Sequence, residues 1–152
     1  MTLSPEFQAA LKQLLVLHED YRKFPYVDTE GKITIGIGYN LTDRGMPDSW
    51  INQQYHEDVV YFYNRLTEDY RWFSNLSEAR QMVLIDMCFM GYKTFQGFKR
   101  MLAALQQEDY ETAAKEMLDS KWAKQVKGRA GMLADMMENN RFFKDGVLQW
   151  AS

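Results

Sequence analysis

The sequence predicts an α+β fold that is mainly helical. Residues 32–39 place isoleucine or tyrosine at every second position, which is typical of a strand with one apolar face. From Pro47 nearly to the end, apolar residues recur at helical spacing instead. We expect a single domain over residues 1–152, with a small α+β lobe over about 12–50 and a helical lobe over about 66–152. The N-terminal helix should pack near the helical lobe.

The chain opens with a helix-start signal. Ser4-Pro5-Glu6 provides an N-cap serine, a proline at the first helical position and an acid in the first turn. Apolar residues follow at helical spacing and predict an amphipathic helix that faces a core: Phe7, Ala10, Leu11, Leu14 and Leu15. Glu19 is the next member of this row. A carboxylate therefore continues an apolar stripe at the C-terminal end of the helix.

A β-hairpin is predicted directly after this helix. Thr29-Glu30-Gly31 fits a three-residue loop in which the glycine adopts the left-handed conformation. If Asp28 pairs with Lys32, then both residues share one face of the hairpin with Thr34. This face is opposite to the one that carries the isoleucines.

The remainder of the chain predicts helices. Asp48 can cap a long helix that continues through Leu66, and Ser77 can cap the next one. Residues 78–91 are apolar almost all round, which indicates a buried helix. Further helices fit residues 97–107, 110–126 and 129–140.

Composition excludes several classes of protein. A net charge of −3 argues against a nucleic-acid binder, whose surface is usually basic. The N-terminus lacks a basic segment followed by an uninterrupted apolar run, so we expect no signal peptide and no stable membrane insertion. Cys88 is the only cysteine, which rules out an intramolecular disulfide and favours a small buried side chain.

Two motifs suggest a metal site or a nucleotide site, but neither has the spacing that such a site needs. His18-Glu19-Asp20 and His56-Glu57-Asp58 both lack the HExxH spacing of a zinc site, so solvated or capping side chains are the favoured interpretation. The segment GIGYN at 36–40 lacks the third glycine of a dinucleotide loop and does not begin a helix. Its glycines fit positions where another group approaches the backbone.

Glu19 and Asp28 form the strongest candidate for catalysis. Apolar surroundings and the negative end of a helix both favour the protonated form of Glu19, as a general acid requires. Asp28, at a polar turn, should stay ionised. Two carboxylates in contrasting environments are the arrangement of glycosidases. The alternatives are a salt-bridged acid at a helix end for Glu19 and a turn-forming aspartate for Asp28.

The spacing of Glu19, Asp28 and Thr34 resembles the signature of glycoside hydrolase family 24, the lysozymes of the T-even phages. In that signature a glutamate, eight residues, an aspartate, five residues and a threonine follow one another, and this sequence reproduces it without a gap. Further landmarks agree along nearly the whole chain: LIDMCFMG at 84–91, GF at 97–98, SKW at 120–122 and Arg129-Ala130.

The resemblance implies a two-lobed lysozyme fold with the glycan lying in a cleft between the lobes. The implied reaction is hydrolysis of the β-1,4 bond between N-acetylmuramic acid and N-acetylglucosamine in peptidoglycan. Glu19 would protonate the leaving oxygen, while Asp28 and Thr34 would assist a water on the opposite face, with inversion. The resemblance implies no metal and no cofactor.

The same resemblance assigns supporting residues. Arg129 matches an arginine that holds the catalytic glutamate, although Asp86 replaces an amide and could compete for it. Phe89 matches an aromatic residue that lines the cleft. Three further sugar-contacting positions fall on residues of different chemistry: Asn40, Met101 and Glu116. Tyr39 replaces a histidine that pairs with an aspartate matching Asp58.

The implied biological role is that of a phage-type endolysin. We expect a monomer that binds peptidoglycan glycan strands, is made in the host cytoplasm and depends on a separate holin for release. Two alternatives stay open: a lytic transglycosylase, which needs the glutamate only, and an inactive wall-binding module on the same fold. Asp28 and Thr34 disfavour the transglycosylase.

Overall fold

The computed structural model describes residues 2–150 and separates into two compact units. The N-terminal unit extends to Tyr55 and the C-terminal unit begins at His56. The helices are α1 Pro5–Glu19, α2 Leu41–Arg44, α3 Asp48–Asp69, α4 Glu78–Cys88, α5 Tyr92–Gln96, α6 Lys99–Gln106, α7 Tyr110–Leu118, α8 Lys121–Val126 and α9 Gly128–Asn139. The strands are β1 Arg22–Val27, β2 Ile33–Gly36, β3 Tyr39–Asn40, β4 Arg141–Lys144 and β5 Val147–Trp150. The predicted α+β, mainly helical class is confirmed.

The first helix begins where the sequence predicts, but its apolar stripe does not face a core. The Ser4 side chain accepts a hydrogen bond from the backbone N–H of Phe7, and Pro5 is the first helical residue. No residue of α1 is buried, and Leu11 and Leu15 are both exposed. The prediction of a core-facing helix is therefore wrong for this structure. Helical periodicity reports which residues share a face, and it does not report what covers that face.

The N-terminal unit contains a three-stranded antiparallel sheet in the order β1-β2-β3. Val27 pairs with Ile33 and Tyr26 pairs with Thr34, so the loop between the strands is centred where it was predicted. Gly31 in that loop has φ +77°, which is the left-handed conformation. The hairpin that carries Asp28 and Thr34 is therefore confirmed.

The predicted strand over 32–39 is not continuous. Ile37-Gly38 forms a turn that reverses the chain, so Tyr39 pairs back with Ile35 instead of extending β2. Gly36 and Gly38 have φ +68° and +66°, and these values are accessible to glycine at little cost. Isoleucine or tyrosine occupies every second position in both strands and in the turn. The side-chain pattern therefore did not reveal the turn.

The C-terminal unit buries a single apolar cluster, assembled from helices α3 to α9 and from the short 3-10 helix Phe73–Asn75 between α3 and α4. Its largest fully buried side chains include Phe73, Phe95, Leu66, Leu84 and Met101. Ser77 caps α4 by accepting from the N–H of Arg80, as predicted. Cys88 is buried, and burial raises the pKa of its thiol to about 12. Within the described part of the chain, no helix has both the length and the apolar character needed to span a membrane.

Two predictions about the later helices were incomplete. Residues 110–126 form two helices, because the Ser120 side chain accepts from the N–H of Ala123 and caps α8. The chain then ends its helical part at Asn139, and β4 pairs with β5 as an antiparallel hairpin that was not predicted. Its turn, Asp145-Gly146, has positive φ at both residues. Aspartate followed by glycine between two strand-like segments is a strong hairpin signal.

Candidate active site

The Asp28 carboxylate, at the start of the hairpin loop, accepts three hydrogen bonds. Its Oδ1 accepts from the backbone N–H groups of Glu30 and Lys32, each at 2.9 Å. Its Oδ2 accepts from the Thr34 hydroxyl at 3.1 Å. The backbone N–H of Asp28 in turn donates to the carbonyl of Lys32 at 2.8 Å. The carboxylate is therefore fixed in position relative to Thr34.

These contacts favour the ionised form of Asp28. The hydrogen bond from the Lys32 backbone N–H lowers the pKa of Asp28 most, and the bonds from Glu30 and Thr34 lower it further. Donors aimed at a carboxylate stabilise its charge more than its neutral form. The expectation that Asp28 stays ionised is confirmed by this direction of shift.

Thr34 lies beside Asp28 in the hairpin. The residue is only 4% exposed, and it is the single buried polar residue in the described part of the chain. The hydroxyl lies on the same face of the hairpin as Asp28, as the register predicted. A hydroxyl beside a carboxylate can position a water molecule, because it both donates and accepts.

Glu19 lies against the turn between β2 and β3. A Cβ atom built on Gly38 would stand 2.8 Å from Glu19 Oε2 and 3.1 Å from Glu19 Cβ. No real Cβ fits at that distance, so the glycine is what allows the carboxylate to lie there. The sequence had indicated close approach to this backbone, and the approaching group is Glu19.

The surroundings of Glu19 differ from those expected. It is the last residue of α1, so the negative end of the helix is next to it as predicted. The residue is exposed, however, and no α1 side chain is buried, so the predicted apolar surroundings are absent. The neighbouring Asp20 has φ +71°, and its carboxylate accepts from the N–H of Tyr21 and from Arg22.

Arg129 has a carboxylate partner inside the C-terminal unit. Its guanidinium donates to Asp86 Oδ1 at 2.7 and 3.0 Å and to the Asp86 carbonyl at 3.0 Å. Asp86 therefore pairs with Arg129, and its competition with Glu19 for this arginine stays a prediction. A support role for Arg129 toward Glu19 stays a prediction.

Phe89 presents an aromatic surface on the C-terminal unit. It follows α4 directly and is 48% exposed. The Phe62 ring packs edge-on against it, with centroids 5.3 Å apart. An exposed ring that is fixed from behind fits contact with a ligand, and its predicted role in substrate binding stays a prediction.

The three other predicted sugar contacts have different settings. The Asn40 side chain caps α2 by accepting from the N–H of Asp43 at 3.0 Å, and it also donates to the Asp43 carboxylate. Glu116 is half-buried and lines a cavity of about 730 Å³ with Lys99 and Trp122. Met101 borders the same cavity but is fully buried. A sugar contact by Met101 stays a prediction.

Tyr39 lies in a cluster of polar and aromatic contacts that was not predicted from the sequence. Its hydroxyl donates to the Gly45 carbonyl at 2.7 Å. The Arg44 guanidinium lies 4.2 Å from the ring centroid, and the Trp50 ring lies 4.7 Å away. Alternation alone placed Tyr39 on a strand face, and only the turn at Gly38 brings it to these partners.

Comparisons with known proteins point to one group of relatives. No family model matches the chain. The chain is 24% identical to "Probable T4-type lysozyme 1" of Dictyostelium discoideum, over 86% of this chain and 94% of that protein. "Probable T4-type lysozyme 2" of the same organism shows the same identity and coverage. The chain is thus similar to T4-type lysozymes along most of its length.

A third relative has a different size. The chain is 30% identical to the pre-baseplate central spike protein Gp5 of Enterobacteria phage T4. The alignment covers 91% of this chain but only 29% of the spike protein. The similarity to this relative therefore concerns one part of a longer protein.

Proposed function

We propose that the protein is a muramidase of glycoside hydrolase family 24. It hydrolyses the β-1,4 bond between N-acetylmuramic acid and N-acetylglucosamine in peptidoglycan, with inversion at the anomeric carbon. Similarity to proteins named T4-type lysozymes supports a glycoside hydrolase of this kind.

The observation that carries the proposal is the fixed pair of Asp28 and Thr34. Hydrogen bonds from backbone N–H groups lower the pKa of the Asp28 carboxyl, and the Thr34 hydroxyl donates to it at 3.1 Å. A water bound between these groups would lose a proton to Asp28 as it attacks the anomeric carbon. In an inverting glycosidase the general base has this task.

Glu19 supplies the second group that the reaction needs. In the proposed mechanism its protonated carboxyl donates a proton to the glycosidic oxygen as the bond breaks, so the leaving sugar departs as a neutral alcohol. The carboxyl lies against Gly38, which limits the positions it can adopt. Restricting a general acid to one position favours proton transfer, because the geometry is prepared before the reaction starts.

We further propose that the enzyme acts as a phage-type endolysin in lysis of the host cell. It would be made in the host cytoplasm, act as a monomer on glycan strands, and reach the wall with the help of a holin. Similarity to a phage spike protein offers the competing possibility of delivery as part of a particle. A lysis assay with and without a co-expressed holin distinguishes these routes.

A digest of purified peptidoglycan tests the proposed activity. A hydrolase yields products with a reducing muramic acid end, formed by addition of one water. A lytic transglycosylase yields 1,6-anhydromuramic ends, and an inactive wall-binding module yields neither. Mass analysis of the released fragments separates the three outcomes, and anhydro products or no products would contradict the proposal.

A further inference from the structure

The Ile37-Gly38 turn sets one limit on where the Glu19 carboxyl can lie. The Gly38 backbone lies next to this carboxyl, because a Cβ atom built on Gly38 would stand 2.8 Å from Glu19 Oε2. The turn therefore bounds one side of the space that the carboxyl occupies. A change in the position of the turn would change that space.

Strand pairing alone gives this turn limited support. The strand after the turn, β3, contains only Tyr39 and Asn40, which pair with Ile35 and Thr34. Two-stranded pairing of this length is weak in water without side-chain contacts. Additional anchoring has to come from the side chains next to the turn.

Tyr39 supplies such an anchor, because it follows Gly38 directly and is fixed by three groups. Its hydroxyl donates to Gly45 at 2.7 Å. Arg44 lies 4.2 Å from the ring centroid, and Trp50 packs at 4.7 Å with its plane tilted by 43°. Cation–π and aromatic contacts of this kind each favour one ring position. The ring thus connects the turn to the end of α2, to Gly45 after it and to the first turn of α3.

The segment that receives Tyr39 is itself tied to the hairpin of Asp28. The Asp43 N–H donates to Asn40 Oδ1, and the Asp43 carboxylate pairs with Lys32 Nζ at 2.9 Å. The backbone N–H of Lys32 donates to Asp28 Oδ1. Contacts centred on α2 therefore link the backbone beside Glu19 with the backbone beside Asp28.

We propose that Tyr39 is a positioning residue that holds the Gly38 turn against the Glu19 carboxyl, an inference that rests on the proposed function. Tyr39 does not touch the reacting atoms in this account. Its hydroxyl bond to Gly45 and its packing between Arg44 and Trp50 keep the turn, and hence Glu19, in the reactive position.

Two substitutions of Tyr39 and one control test the proposal. Tyr39→Phe removes the bond to Gly45 only, and Tyr39→Ala also removes both ring contacts. Tyr55→Phe is the matched control, because Tyr55 lies in the same unit and is 60% exposed. We expect kcat on peptidoglycan fragments to fall about threefold in Tyr39→Phe and about tenfold or more in Tyr39→Ala, since small displacements of reacting groups are costly. KM should change little, and the control should match the wild type.

A second readout separates this proposal from the muramidase assignment. Carbon-13 NMR of the Glu19 carboxyl group in the wild type and in Tyr39→Phe reports its surroundings without any reaction. We expect the chemical shift of the Glu19 carboxyl carbon to change in Tyr39→Phe and to stay constant in Tyr55→Phe. Unchanged Glu19 signals and an unchanged kcat in both Tyr39 variants would overturn the positioning role. Absence of hydrolysis by the wild type would contradict the proposed function instead.

Discussion

The C-terminal unit buries a continuous apolar cluster, whose members run along the sequence from Leu66 to Met137. Among residues 2–55, by contrast, Thr34 is the one buried residue. The catalytic candidates Glu19, Asp28 and Thr34 all lie in the N-terminal unit, whose described residues bury no apolar core. The fold of the C-terminal unit is stabilised by removing apolar surface from water. The N-terminal unit is ordered by directional polar contacts.

This difference predicts different consequences of substitution. A single hydrogen bond contributes only about 0.5–1.5 kcal/mol of net stability, but it fixes a distance and a direction. The contacts of Asp28 and the approach of Glu19 to Gly38 are of this kind. Substitutions there should change activity more than stability, and substitutions in the C-terminal core should do the reverse.

Glu19→Gln should have the largest effect on activity. The change keeps the size of the side chain and removes the acidic proton, and loss of a general acid typically lowers rates by about 10² to 10⁴-fold. Because Glu19 is exposed, the free energy of unfolding should change by no more than about 0.5 kcal/mol. Clearing of a peptidoglycan suspension and urea unfolding measure the two quantities. Normal clearing by the folded variant would remove Glu19 from the mechanism.

Phe95→Ala should give the opposite result. The ring is fully buried and contacts Tyr70 and Tyr92, so its removal should lower the free energy of unfolding by about 3–5 kcal/mol. Activity per folded molecule should stay near that of the wild type at low temperature. A stable Phe95→Ala protein with impaired catalysis would show that the division between the two units is not valid.

Gly38→Ala tests the close approach to Glu19, with Gly146→Ala as its matched control. Both glycines have positive φ, and an alanine there costs about 1–2 kcal/mol of stability. Only the Gly38 Cβ would collide with Glu19, whereas a Cβ on Gly146 meets nothing within 4 Å. We expect similar losses of stability and a larger loss of kcat in Gly38→Ala. Equal kcat values in the two variants would exclude a role for the close approach to Glu19.

The smallest predicted effect concerns stability in acid. The pKa of Asp28 is lowered below its ordinary value of 3.8, mainly by the Lys32 backbone N–H. The ionised carboxylate therefore stabilises the fold above that value, and this stabilisation is lost as the pH falls through the folded-state pKa. In Asp28→Asn the free energy of unfolding should depend less on pH below about 4. Parallel curves for the variant and the wild type would show that Asp28 gains nothing from its hydrogen bonds.

Capping residues and turn glycines in the sequence predicted the parts of the site that are formed by residues close together in the chain. The Ser4 cap and the Gly31 loop fixed the start of α1 and the register of the first hairpin. That register was enough to bring Asp28 and Thr34 together, because the two residues are only six positions apart. The Ser120 cap and the Asp145-Gly146 turn are equally clear local patterns. They indicate the start of α8 and the β4-β5 hairpin, and neither was predicted.

Features that depend on the neighbours of an element were not predicted. The exposure of Glu19 and the burial of Met101 depend on which surfaces pack together, and periodicity does not specify a partner surface. The turn at Ile37-Gly38 was missed because side-chain alternation is the same in one long strand and in a tight hairpin. The contacts of Tyr39 with Arg44, Gly45 and Trp50 depend on that turn, so they were not predicted either.

The most direct test of the account is the anomeric configuration of the first product. If Asp28 and Thr34 activate a water on the face opposite the leaving sugar, the wild type must release the α-anomer, and the two carboxyl groups must act across a gap of roughly 6.5–9.5 Å. Proton NMR of a peptidoglycan digest, recorded before the anomers equilibrate, reads this directly. We expect the α-anomer from the wild type and loss of most activity in Asp28→Asn. Release of the β-anomer would contradict it, because it would require attack by an enzyme nucleophile before water.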